Sequence, residues 1–365
     1  MGATRSPLAW GTRALLVALF VLGATLTGVS STSPAPPPAA AAASSPGPMF
    51  GMVFHGMWAD YTDSSRAKVL DAMASHGVRT VRMDVSWRML EPSRAGGFDS
   101  WGIGMVDKVI AAIRARGISP VIMLWEAPAW ANGSSDGRVG PTSPAAKAAL
   151  TSLCKRLAQR YRGKVAGWEV WNEPNDNDFL RGKDPATYAG ILRAAYAGFK
   201  SGDPQSTVVF GGASYVDDGW IGRALATGAR GQYDVMGVHP YMGVADEAPD
   251  LPDNKTMWRM NHLPALLAVM AANGDKNKQV WFTEFGWRVR PTPAGTPNWL
   301  RGVSPSVQAD YLARTLALVK QRYPAVTRVF WFQDRVTSTD RSNTGYGLIF
   351  PDGSLMPALA RRPAG

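Results

Sequence analysis

Eight short apolar runs recur along this chain, at 50–54, 80–84, 120–124, 165–171, 207–211, 235–239, 280–284 and 328–332. Segments of helical period separate them. Most of the runs leave no polar face, as expected of strands buried on both sides. Parallel strands cannot be joined by a tight hairpin, and the intervening helices supply the crossover they need. Helix ends are marked too. Segments 64–76 and 101–116 stop at Gly77 and Gly117, the residue type that tolerates the turn past a last helical carbonyl. Ser143-Pro144, Asp184-Pro185 and Ser304-Pro305 read as a cap followed by Pro at the first helical position, where its missing N–H costs nothing. Eight strand–helix units are the arithmetic of a (β/α)8 TIM barrel, a single domain of about 250 residues. A doubly wound open sheet would want a Gly-rich phosphate turn after its first strand, and none stands there.

The chain has 365 residues, more than one barrel needs. Part of the surplus lies at the front. Arg5 and Arg13 precede an apolar run at 14–29, with small residues at Gly28 and Ser30. This is the pattern of a secretory signal, expected over 1–30. Residues 31–48 are Pro/Ala/Ser-rich and read as a linker. The run at 14–29 is the one candidate for a membrane tether. The rest of the surplus falls after the sixth, seventh and eighth strands, as long loops on the face where barrels carry their sites. The expected catalytic domain is 49–365. A secreted or cell-envelope location, a bacterial source and a monomer are expected.

Composition excludes several chemistries. A single Cys, Cys154, rules out a disulfide framework and a Cys-cluster zinc site. The four His are scattered, without metal-ligand spacing, so no metal is expected. No nucleotide motif and no dense Lys/Arg block appears, which argues against nucleotide cofactors and nucleic acid despite a net charge of +11. What remains are carboxylates. Glu173 ends the fourth strand, in Trp171-Asn172-Glu173-Pro174. Glu284 ends the seventh, in Thr283-Glu284-Phe285-Gly286. Two Glu on separate strands of one barrel can meet across its mouth. One protonated and one ionised carboxyl is the equipment of glycosidic bond cleavage. Strict strand alternation would put Asn172 and Glu173 on opposite faces, so an irregularity is required between them.

These two segments resemble the acid/base and nucleophile signatures of clan A retaining glycoside hydrolases, a (β/α)8 group that includes the cellulase-like family 5 and family 39. Further segments fit the resemblance: Val81-Arg82-Met83-Asp84 on the second strand, Val238-His239-Pro240-Tyr241 on the sixth, and Phe330-Trp331-Phe332 on the eighth. The resemblance implies Glu173 as acid/base and Glu284 as nucleophile. It implies Asn172 on the sugar 2-hydroxyl, Arg82 beneath the nucleophile, and His239 or Tyr241 orienting it. It implies Trp331 as the floor of the central subsite. Sugar C–H faces stack on aromatic planes, so Trp125 at the end of the third strand and Trp287 after the seventh are expected to line the cleft. Trp101 and Trp168 are expected to pack helix on sheet. The expected activity is exported, retaining hydrolysis of an oligo- or polysaccharide without a cofactor. A non-catalytic carbohydrate-binding barrel and a transglycosylase are the alternatives.

Overall fold

The computed structural model describes residues 47–338 and 340–362. The expected signal and all but the last residues of the linker lie outside them. Eight parallel strands close into a barrel in sequence order. They are β1 (Met49–Val53), β2 (Thr80–Ser86), β3 (Ser119–Trp125), β4 (Gly167–Val170), β5 (Val208–Ser214), β6 (Val235–His239), β7 (Gln279–Phe285) and β8 (Val326–Trp331). β8 closes on β1 through the register Gly51↔Phe330. Every expected strand is present. β4 is the one that falls well short of its apolar run, stopping before Trp171.

Helices return the chain between strands, and their ends follow the side chains available. The Thr62 hydroxyl accepts from the Ser65 N–H, and the Ser65 hydroxyl in turn accepts from the Thr62 N–H. Ser143, Asp184 and Ser304 each cap a helix with Pro in its first turn. Gly77 and Gly117 take φ of 73° and 69° past their helices. Satisfying these terminal N–H groups fixes where each helix begins. Among the described residues no helix is long and apolar enough to cross a membrane.

Two apolar layers result. The larger lies between strands and helices. The smaller fills the barrel with Val53, Val121, Val209, Val235, Trp281 and Phe330. The large Trp281 ring fits because β4 opens with Gly167, where a Cβ would fall 3.0 Å from the indole. Trp168 packs helix on sheet as expected, stacked on Phe199 at 4.7 Å between ring centroids. Trp101 does not: it sits at the start of its helix and is 64% exposed. Above the apolar filling, at the C-terminal ends of the strands, the interior becomes polar. The loops expected after β6, β7 and β8 rise from that face.

The helices Pro144–Arg160 and Pro185–Gly202 approach closely through Gly198, where a side chain would press into the Thr151 carbonyl and the Cys154 side chain. Gly198→Val should cost about 1–3 kcal/mol of stability by overpacking, read from urea unfolding. An unchanged midpoint would mean that this contact is loose.

Candidate active site

The centre of the polar layer is a guanidinium. Arg82 projects from β2 and is buried. Its Nε donates to Glu169 on β4. Its Nη1 donates to Glu284 on β7 at 2.6 Å, and its Nη2 to the Asn172 carbonyl oxygen at 2.7 Å. Burial pulls its pKa down, but Glu169 and Glu284 outweigh that, and the guanidinium stays charged. Since Arg82 can only donate, it also fixes the Asn172 amide: the oxygen faces Arg82 and the NH2 is left for a ligand.

Asn172 and Glu173 share the cavity because the chain leaves β4 through left-handed backbone. Trp171 has φ of 73° and Glu173 of 39°. Such values are costly for residues with a Cβ and are held by their surroundings. The Trp171 indole donates to the Phe179 carbonyl, and the Glu173 N–H to that of Gly212. This is the irregularity the alternation demanded.

The two carboxyls meet different environments. One oxygen of Glu173 and one of Glu284 lie within 4.8 Å of each other. Glu284 receives Arg82 on one oxygen and the Tyr241 hydroxyl on the other, at 2.9 Å. Burial and Glu284 hold the Tyr241 hydroxyl far above its usual range, so it remains a donor. Glu173 faces His239 Nδ1 at 2.8 Å. Burial lowers His239 to about 4, so the imidazole is neutral near pH 7. Burial, then the charge of Asp176, pushes Glu173 up to about 8. At neutral pH one carboxyl thus keeps its proton, while the other sits against a cation.

Around them lies a cavity of about 480 Å³, walled by residues that include Phe179, Tyr215, Arg288, Trp299, Phe332 and Tyr346. The expected aromatic walls are only partly here. Trp331 is 0% exposed and donates its N–H to the Tyr346 carbonyl. Trp287 is 2% exposed, donates to the Glu247 carbonyl and packs on Tyr311 and Trp331. Neither ring offers a face to a sugar. The reason for Trp331 is the two-residue period of β8: Phe330 fills the barrel, Trp331 points away, and Phe332 turns back to the cavity. Trp125 is half-buried and lines a neighbouring depression with Glu126, meeting the cavity only through Phe179 at 6.2 Å.

Several buried polar groups below the cavity walls escaped the motif search. Glu169 shares Arg82 and accepts from the Gly212 N–H at 2.9 Å. His55 stacks on Trp58 at 3.9 Å, and its Nδ1 meets Asp84 at 3.1 Å. Period-two alternation back from Glu173 would have pointed to Glu169. Nothing in the sequence singled out Tyr346 or Arg288, which come from loops. Glu173, His239 and Glu284 also have the spacing of three ligands to a divalent cation. The raised Glu173 and the Arg82 contact to Glu284 both oppose one.

A family model described as cellulase (glycosyl hydrolase family 5) matches residues 40–303, which include both carboxyls. Beta-glucosidase 40 of Arabidopsis thaliana is 28% identical over 142 residues, 35% of this chain and 27% of its own length. Putative beta-glucosidase 17 of Oryza sativa subsp. japonica is 29% identical over 101 residues, 27% of this chain and 32% of its own length. The chain therefore spans about a third or less of these curated relatives. A solved family 39 glycoside hydrolase from Bacteroides cellulosilyticus superimposes with a TM-score of 0.66 at 24% identity, over 86% of this chain and 62% of that one. A monomeric beta-xylosidase from Caulobacter crescentus gives 0.62 at 20%, over 87% and 68%. At such identities the structural matches speak for the fold alone.

Because Glu173 is raised from 4.5 to about 8, its contribution to folding is full below about pH 4.5 and is lost as pH rises through about 8. Glu173→Gln carries no charge at any pH. It should gain stability relative to the parent across that window in urea unfolding. Parallel pH curves for the two proteins would show that the carboxyl is not held neutral.

Proposed function

Since the chain belongs to the cellulase family, glycosyl hydrolase family 5, we propose that it is a retaining glycosidase working by double displacement. One observation carries the reading: two facing carboxyls within 4.8 Å, one raised to about 8 by burial and one bound to a guanidinium. Retaining enzymes hold their carboxyls roughly 5–5.5 Å apart, whereas inverting ones leave about 6.5–9.5 Å for a water. Oxygens within 4.8 Å of each other favour the shorter, retaining spacing.

In the first step the Glu284 oxygen bonds to the anomeric carbon as the glycosidic C–O bond breaks. Glu173 passes its proton to the departing oxygen. Asn172 donates to the 2-hydroxyl, and Arg82 and Tyr241 hold the attacking carboxylate in line. In the second step the ionised Glu173 takes a proton from water, whose oxygen displaces Glu284 and regenerates both groups. His239, neutral and donating from Nδ1, keeps the Glu173 carboxyl oriented. The substrate class is a β-linked oligo- or polysaccharide. No cofactor enters the scheme. Arg5, Arg13 and the apolar run at 14–29 support export to the cell envelope or medium, and a monomer suffices because one chain supplies the whole site.

Glu284→Ala should abolish turnover of any glycoside the parent cleaves. Glu173→Ala should lose about 10²–10⁴-fold on substrates with poor leaving groups and far less on an activated aryl glycoside, with azide restoring part of the latter. NMR of the first product should find the anomeric configuration retained. An inverted product, or near-parent activity of Glu284→Ala, would sink the assignment.

The parent's kcat/KM should fall as pH rises through about 8, when Glu173 gives up the proton that the leaving group needs. Tyr241→Phe removes one hydrogen bond to a charged group and should cost about tenfold or more in kcat. A Tyr241→Phe enzyme as fast as the parent would show that the hydroxyl does not hold the nucleophile.

A further inference from the structure

The catalytic cavity does not end at Tyr215 and Trp299. Both residues also border a second depression of about 550 Å³ between the loops that follow β6 and β7. Its wall carries Glu247, Asn254, Asn298 and a second indole, Trp258. Trp258 is 43% exposed and Trp299 is 61% exposed.

These rings are exposed but not loose. Trp258 meets the Tyr215 ring edge-on, 4.5 Å between centroids. Its carbonyl accepts from the Gly243 N–H at 2.8 Å, and a Cβ at Gly243 would fall 2.7 Å from that of Trp258. Trp299 sits in the single turn Asn298–Leu300, whose first carbonyl accepts from the Ala245 N–H at 2.9 Å. Ion pairs Arg301–Asp246 and Arg259–Glu247 tie the same loops. An indole held in water forgoes the gain of burial, which returns only when something covers it. A surface fixed beforehand also spares a ligand the cost of ordering it.

Resting on the glycosidase reading, we infer that this depression is a carbohydrate subsite for the leaving-group side of the chain. Sugar rings lie against Trp258 and Trp299, and Asn254 and Asn298 meet their hydroxyls. Flat apolar rings set among amides suit a ligand with apolar faces and a polar rim. The side follows from the proton donor. The depression opens beyond Tyr215, next after Ser214 at the end of β5; the Ser214 hydroxyl reaches Glu173, and Tyr215 lies close enough to feel its charge. The departing oxygen must face Glu173, so whatever it carries is directed there.

The test compares two substrates of the same sugar, chosen by screening the parent on gluco-, manno- and xylo-oligosaccharides and their nitrophenyl glycosides. The nitrophenyl group ends short of the depression, and a longer oligosaccharide enters it. Trp299→Ala and Trp258→Ala should each lower kcat/KM on the oligosaccharide about tenfold. Trp258→Ala, whose ring borders the depression and not the catalytic cavity, should leave the nitrophenyl glycoside within about twofold. Phe at either position should restore most of the loss. In a Glu173→Gln background the oligosaccharide should quench tryptophan fluorescence, and Trp299→Ala should weaken that binding. Unchanged oligosaccharide kinetics would overturn the inference. So would equal losses on both substrates in Trp258→Ala, or losses seen only with bulky aryl leaving groups. If the parent cleaves no glycoside, the glycosidase reading fails. The Glu173→Gln titration still reads the depression by itself.

Discussion

The polar mouth of this barrel depends on one buried cation. Arg82 reaches from β2 to β4 and β7, and all three of its nitrogens have partners there. A guanidinium out of water is costly unless it is paired and fully hydrogen-bonded. Glu169 meets that requirement permanently, because it is wholly buried and also holds the Gly212 N–H. With one charge balanced by Glu169, Arg82 is shared with Glu284 rather than neutralised by it alone. The same fork fixes the Asn172 amide. One side chain thus orients a carboxylate, an amide and a structural acid on three elements.

The second consequence is asymmetry. Glu173 and Glu284 are the same residue type, buried to the same degree and close together. Arg82 contacts one and not the other. Burial and the charge of Asp176 keep the proton on the carboxyl that has no cation in contact. His239 beside Glu173 does not reverse this, since burial keeps the ring neutral. Roles that appear chemical are therefore set by position: β7 meets the guanidinium, and the left-handed exit from β4 turns Glu173 away from it.

The fold was legible where burial dictates composition. Strands covered on both faces must be apolar, and helices must begin and end on the few residues that satisfy or tolerate their termini. Glu173 and Glu284 were legible because they end two separate strands as a pair, in segments that resemble known signatures. Trp287 and Trp331 misled because a large ring is equally at home against a sugar or inside a core. On β8 alternation alone would have separated Phe332 from Trp331. On β7 it would not, since the register shifts between Phe282 and Phe285. Alternation called for an irregularity between Asn172 and Glu173, but not for its left-handed form at Trp171 and Glu173, because neither residue favours that backbone. Tyr346, Arg288 and Trp299 arrive from loops whose path no period predicts.

Those loops are tied together by ion pairs. Arg301, Arg259 and Arg314 pair with Asp246, Glu247 and Asp250, tying the loop after β6 to itself, to the loop after β7 and to the following helix. Exposed pairs of this kind add little to global stability. Their effect is local: they join segments that have few apolar contacts of their own. Strands and loops therefore divide the work by how each is held. Strand ends are fixed by the barrel's hydrogen bonds and by Arg82, and they carry groups that must stay within tenths of an ångström. Loops are held by exchangeable ion pairs over an apolar rim, so their aromatic surface can change while the carboxyls beneath stay put. A barrel of this kind gains new substrates at its loops, because only there does a substitution leave the Arg82 network untouched.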